Sequence, residues 1–214
     1  MANIWRKLNN EEMMSNNEFK TKAFGTFKPN FIQKFLISFG QKTFLKRGIF
    51  RGTYTTFIML LSKGPLDIIF RNCAYRIWGE HNLIEYGLLL NPNYNSSDLN
   101  FLTEQASLDD NFVDIGSNIG LYSQPMALAA PKGKTISIDA NPLMATRLKF
   151  NANASRLSNL EMVSSAVSDT NGVGSLLIRK NDVAIVALDE SADEGIQILI
   201  NQNIKALQCF EADL

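Results

Sequence analysis

The sequence predicts an α/β fold built on a Rossmann-like parallel sheet, and three stretches predict it. Residues 112–123 read F-V-D-I-G-S-N-I-G-L-Y-S: an apolar run closed by an acid, two glycines four apart, then the start of a helix. Residues 135–138 are a short β-branched run that ends in D-A-N-P. Residues 160–167 form a third apolar run, and S-D-T-N-G follows it as a turn, with Asn-Gly its strongest signal. Strand, glycine turn, helix, strand, helix, strand is the order of a parallel, crossover-connected sheet.

Each element has its own physical reason. A strand–glycine turn–helix brings backbone N–H groups and a helix N-terminus toward a nucleotide-like ligand. The dinucleotide spacing is G-x-G-x-x-G. Here it is Gly116-x-x-x-Gly120, with Asp114 two residues before the first glycine. That spacing suits a ligand without a pyrophosphate, approached closely by bare glycine backbone, and the acid is placed to bind a cationic amino-acid end. Asp139 closes the second strand about 20 residues past the glycine turn, where an acid accepts hydrogen bonds from ribose hydroxyls. Asn141 reads as a helix N-cap and Pro142 as the first helical residue. Leu143, Met144, Leu148 and Ala152 then recur at helical spacing. Pro125 is out of place two turns into a helix that begins at the glycines, where it costs roughly 3 kcal/mol. Either the helix kinks there or it starts later.

The three motifs D-I-G-S-N-I-G-L-Y-S, I-D-A-N-P and S-A-V-S-D-T-N-G, in this order, resemble the FkbM-type methyltransferases, a branch of the S-adenosylmethionine-dependent class I methyltransferases. The resemblance spans roughly residues 65 to 190. It implies a class I methyltransferase sheet and S-adenosylmethionine as cofactor. By that resemblance Asp114, Gly116, Ser117, Asn118 and Gly120 line the methionine and ribose part of the cofactor. Asp139 binds the ribose hydroxyls, and Ala166 and Asp169 lie near the adenine. The chain departs from the family where Asp139 replaces a commoner glutamate and Ala140 a commoner proline. On the residues alone, Ser117 and Asn118 also serve as helix caps, and Asp169 as a turn residue.

The family's sheet has seven strands in the order 3-2-1-4-5-7-6. Residues up to 167 supply strands three, two and one. Residues 174–178 and 183–188 read as an added hairpin. The lysine–acid–acid–glycine signature of strand four is not found, and residues 195–214 carry an apolar run without it. The sequence therefore predicts an incomplete sheet lacking strands 4–7, in a chain truncated or frameshifted at its C-terminus that borrows the missing strands or is unstable.

The formal net charge is zero but unevenly spread. Residues 1–64 hold eleven Lys/Arg and three Glu; the remainder holds ten Lys/Arg and eighteen Asp/Glu. Two domains follow: a basic, partly helical extension over 1–64, mobile to about residue 28, and a partial cofactor domain over 65–214. In the extension, Lys42, Lys46, Arg47 and Arg51 alternate with Phe35, Phe39, Phe44 and Phe50. This reads either as a basic extension packed on the acidic domain or as a membrane-surface or polyanion-binding segment. The apolar run at 57–61 is far short of the ~20 residues that cross a bilayer. Cys73 and Cys209 are the only cysteines, which excludes a disulfide framework or zinc pattern. With no secretory signal apparent, the expected location is cytoplasmic, with peripheral membrane contact through the extension.

Residues 66–78 alternate imperfectly and predict one or two antiparallel lead-in strands. Residues 82–88 predict a short helix, and N-S-S-D at 95–98 a capping cluster before another. Two side chains in this region are catalytic candidates: His81, the only histidine, as the base that removes a proton from an acceptor, and Glu85 as a cofactor-side or acceptor-side residue. Against these roles stand a surface histidine and an exposed helix glutamate. Three functions stay open. One is O-methylation of a small-molecule, sugar or lipid-linked hydroxyl, without nucleic acid as partner. The second is a non-catalytic binding protein working through its basic extension. The third is an NAD-dependent oxidoreductase, against which the missing G-x-G-x-x-G counts.

Overall fold

The computed structural model describes residues 22–62, 64–79 and 82–167, with the backbone of 168, 172–179, 186–187 and 197–206. Several expectations lie outside the described residues: mobility of 1–21, the roles of His81 and Asp169, and the turn that contains Asp169.

Two helices open the described chain, α1 (Phe31–Lys42) and α2 (Gly48–Leu60), joined by a 3-10 turn at Phe44–Lys46. Asn30 and Gln33 form a capping box at the start of α1. Gly40 lets the helices touch, because a Cβ there would stand 2.5 Å from the Tyr54 ring. The Tyr54 hydroxyl donates to the Leu36 carbonyl at 2.8 Å. Within residues 22–62 these two helices and the turn between them account for most of the chain.

The lead-in is an antiparallel hairpin, β1 (Leu66–Phe70) and β2 (Cys73–Ile77). Arg71 and Asn72 both hold positive φ, the backbone of a two-residue type I′ turn. The imperfect alternation has a cause. Asp67 and Arg76 face each other across the ladder and pair at 2.7 Å in the interior. The Arg76 guanidinium lies 4.9 Å from the Phe27 ring centre and 4.1 Å from that of Phe150. It also donates to the carbonyls of Lys22 and Ala23, while Asp67 accepts from the N–H groups of Gly25 and Phe27. This buried pair ties residues 22–27 to the hairpin.

Helices α3 (Leu83–Leu90) and α4 (Ser96–Gln105) lead into the parallel sheet. Asn95 does not cap α4 with its side chain; its amide donates to the Tyr122 hydroxyl instead. The sheet contains β3 (Phe112–Ile115), β4 (Thr135–Asp139) and β5 (Leu160–Ser164), all parallel, in the order β3-β4-β5. Helix α5 (Ser123–Ala129) connects β3 to β4, and α6 (Pro142–Ala154) connects β4 to β5. This is the α/β arrangement of strands one, two and three that the sequence predicts. β3 is an edge of this sheet, with Val113 and Ile115 more than half exposed.

The third predicted strand divides. Ser165 separates β5 from β6 (Ala166–Ser168), which joins a third sheet. That sheet also holds β7 (Gly172–Arg179), β8 (Val186–Ala187) and β9 (Gln197–Ala206), in the order β6-β9-β7-β8. The predicted hairpin is present as the antiparallel β7–β8 pair. The apolar run near the C-terminus becomes β9, parallel to β6 and antiparallel to β7. The main core joins the hairpin, α2, α3, α4, α6 and the glycine turn through Ile58, Tyr75, Leu89, Leu99, Ile119 and Met144.

Candidate functional site

The glycine turn runs from Gly116 to Tyr122, and α5 starts only at Ser123. The later start resolves Pro125. It stands in the first turn of α5, where an N–H has no intrahelical partner and proline is tolerated. The start has a second cause in Asp114. Its Oδ2 accepts from the Ser123 N–H at 3.0 Å and, at very short range, from the Ser123 hydroxyl. An acid on the preceding strand thus caps the helix, favoured there by the backbone dipoles. Ser117 and Asn118 lie too far upstream to cap it. Burial pushes the Asp114 carboxyl above its ordinary range, and the Ser123 bonds pull it partly back.

Five of the turn's seven backbone N–H groups, those of residues 116–120, are not free for a ligand, contrary to the sequence expectation. Gly116 and Ser117 both donate to the Ile138 carbonyl, at 2.8 and 3.1 Å, and Gly120 donates to Ser117. Asn118 donates its N–H to Asp139 Oδ2 at 2.7 Å. Ile119 donates to the Asn118 side-chain oxygen at 2.9 Å. These five donors are consumed inside the fold and are not available to cradle a pyrophosphate. The sequence could not show this for Gly116, Ser117 and Asn118, because their acceptors, Ile138 and Asp139, lie on β4.

What the turn offers is shape and carboxylates. Gly116 holds φ +78, with nothing within 4 Å of where its Cβ would stand, so its backbone faces open space. Gly120 holds φ +92 for another reason: a Cβ there would overlap Leu148 Cδ1 on α6. Gly116 is an approach glycine and Gly120 a packing glycine. Asp139 is 8% exposed. Its two oxygens accept from Asn118 and, at 2.8 Å, from the N–H of Asn141. Each keeps lone-pair capacity for a further donor. Burial raises the Asp139 carboxyl, the Asn141 and Asn118 N–H groups lower it, and the Asp114 charge raises it again. Asn141 caps α6 by accepting from Leu143 at 3.0 Å. Ser117 and Ala166 are buried, and the Ser117 hydroxyl lies 4.0 Å from the Met162 sulfur.

A polar network behind the turn is absent from the sequence reading. Asn82 caps α3, accepting from Ile84 and Glu85, and donates to the Asn118 side chain at 2.9 Å. Glu85 is fully buried rather than exposed. Its Oε2 accepts from the N–H groups of Trp78 and Gly79 at 2.8 and 2.7 Å, and its Oε1 pairs with Arg147 at 3.1 Å. Asn151 accepts from the Arg76 N–H and donates to the Ile119 carbonyl. Only the place of Asn82 just before an apolar helix could have signalled its role. Glu85 and Arg147 are 62 residues apart, and nothing local links them. Among the described residues no group of His, Cys, Asp and Glu is arranged to hold a metal ion.

No protein-family model matches the chain, and no curated protein matches it. Solved structures do show a partial likeness. One is TYW2 of M. jannaschii in complex with AdoMet: 15% identity, 48% of this chain and 43% of that one, TM-score 0.38. A second is the Pyrococcus abyssi tRNA (uracil-54, C5)-methyltransferase with S-adenosyl-L-homocysteine: 14% identity, 52% and 26% coverage, TM-score 0.38. A third is a SAM-dependent methyltransferase from Agrobacterium tumefaciens: 12% identity, 47% and 32% coverage, TM-score 0.37. The chain spans less than half the length of each of these proteins.

Proposed function

We propose that this chain is a S-adenosylmethionine-dependent methyltransferase of the FkbM type, acting on a hydroxyl of a small-molecule, sugar or lipid-linked acceptor. One observation carries the reading. The acid that ends β4 reaches the glycine turn that follows β3, through the 2.7 Å bond from Asn118 to Asp139. This brings a carboxylate beside an open glycine backbone at the C-terminal edge of a parallel sheet, where such folds bind ligands. The commitment of the N–H groups of residues 116–120 favours a nucleoside over a dinucleotide and weighs against an oxidoreductase. The residues present fit the cofactor. Asp139 would hold the ribose hydroxyls. Gly116 would give room for close approach, and Asp114 has an Oδ1 without a donor among the described residues. Ser117, Asn118, Gly120 and Ala166 would complete the walls. When bound, the cofactor supplies a methyl group on a sulfonium, which is a good leaving group. The chain's own task is then to orient the acceptor hydroxyl and exclude water. Glu85, already committed to two N–H groups and Arg147, suits a positioning role better than proton removal.

Titration calorimetry of the chain with S-adenosylmethionine tests this reading. Micromolar binding is expected, with NADH unable to displace S-adenosylhomocysteine. Asp139→Ala is expected to weaken binding by about 1.5–3 kcal/mol, the range for a hydrogen bond to a charged group. Absence of cofactor binding by the folded chain would overturn the proposal. Transfer of labelled methyl to RNA rather than to a glycan or lipid fraction would overturn the acceptor class alone.

A further inference from the structure

We propose that the outer faces of α1 and α2 form a docking surface for an anionic membrane. The first observation is apolar exposure on one side of a short helix. Phe31, Phe35 and Phe39 recur every fourth residue of α1 and are 84%, 63% and 50% exposed, whereas Gln33 and Gly40 on the inner side are buried. On α2, Ile49 and Leu60 are 83% and 77% exposed. These side chains form pairs across the surface: Phe35 stacks on Phe39 at 6.5 Å, and Phe44 meets Phe50 edge-on at 5.3 Å. Clustered apolar exposure of this kind marks an interaction site.

The second observation is charge. Residues 19–66 contain nine Lys/Arg and no Asp or Glu. Lys34, Lys42, Lys46, Arg47 and Arg51 lie on or between the two helices themselves. Basic side chains flanking exposed phenylalanines are the composition of a helix lying in the plane of an anionic bilayer. Their stems snorkel along the apolar face while the heads meet lipid phosphates. A protein partner fits less well, since lysine is depleted at protein interfaces. RNA would have the exposed phenylalanines to stack on, but Ile32, Ile49 and Leu60, equally exposed on the same helices, suit acyl chains and offer a base no ring. At 12 and 13 residues the helices lie on a bilayer and do not cross it. They form a rigid platform: Gln33 donates to the Ile58 carbonyl and Gln41 to that of Leu89, tying α1 to α2 and α3.

Flotation of the full chain with vesicles decides the matter, in the absence of S-adenosylmethionine. Binding is expected to vesicles of equal parts phosphatidylcholine and phosphatidylserine, and to weaken with added salt. Phosphatidylcholine alone is expected to bind at least tenfold more weakly. A charge variant (Lys42→Gln, Lys46→Gln, Arg51→Gln) is expected to lose about fivefold in affinity per charge removed. An apolar variant (Phe35→Ser, Phe39→Ser, Leu60→Ser) is expected to lose the salt-resistant remainder of the binding. Near-ultraviolet circular dichroism checks that each variant is folded, and the charge variant decides if the apolar one is not. Equal binding to both vesicle types, or none, overturns the proposal. So does retention on RNA in place of vesicles, or concentration-dependent self-association that the apolar variant abolishes.

Discussion

The glycine turn and the α1–α2 face are opposites in how they use side chains. Around the turn the polar groups are inside: Asn82, Glu85, Asn118, Asp139, Asn141 and Asn151 are all buried and hydrogen-bonded. On the α1–α2 face the large apolar groups are outside. Each inverts the ordinary rule of polar out and apolar in. A buried polar group persists only if its partners are supplied by the fold, so the turn is rigid and mutually dependent. An exposed apolar side chain depends on little around it, so the helical face can change with small effect on stability. Substitution is therefore coupled to folding in one region and largely separable from it in the other.

Breaking the buried network is the largest test of that contrast. Glu85→Ala leaves Arg147 buried without its carboxylate and strips Trp78 and Gly79 of an acceptor, so a loss of about 3–5 kcal/mol is expected in urea unfolding. A loss below 1 kcal/mol would show the network is not held together as described. Next comes Gly120→Ala, which combines a left-handed backbone with overlap on Leu148; about 2–3 kcal/mol is expected. Gly116→Ala carries only the backbone strain and should cost about half as much. The two glycines, equivalent in the sequence, are thereby separated.

A smaller effect comes from pH. Asp114 and Asp139 are raised by burial in the folded chain. The folded state then binds more protons than the unfolded one just above the ordinary carboxylate range. Their contribution to stability falls as pH rises through that window and is greatest below it. The melting-temperature advantage of the wild type over Asp114→Asn should therefore shrink as pH rises from about 4 to about 6. An advantage that grows with pH would reverse the assigned sign. Smallest of all, Phe35→Ser on the exposed face should shift stability by no more than about 0.5 kcal/mol. A larger loss would mean that α1 is covered within the chain and the contrast fails.

The sequence by itself determined the local elements. β-branched runs, a capping Asn141 before Pro142, the paired glycines and the imperfectly alternating hairpin are signals carried within a few residues, and each was legible. The order of the parallel strands followed from their connections. The legible part of the candidate site was which residues gather near the turn: Asp114, Gly116, Gly120 and Asp139. Tertiary structure alone decided what those residues do. It set Asp114 on Ser123, committed the N–H groups of Gly116, Ser117 and Asn118 to Ile138 and Asp139, and made Gly120 a packing residue. It joined Glu85 to Arg147 and Asp67 to Arg76 in the interior, and turned the phenylalanines of α1 outward. The reason is physical. Backbone conformation and capping are energies of neighbouring residues, whereas hydrogen-bond satisfaction and burial depend on what a distant segment brings alongside.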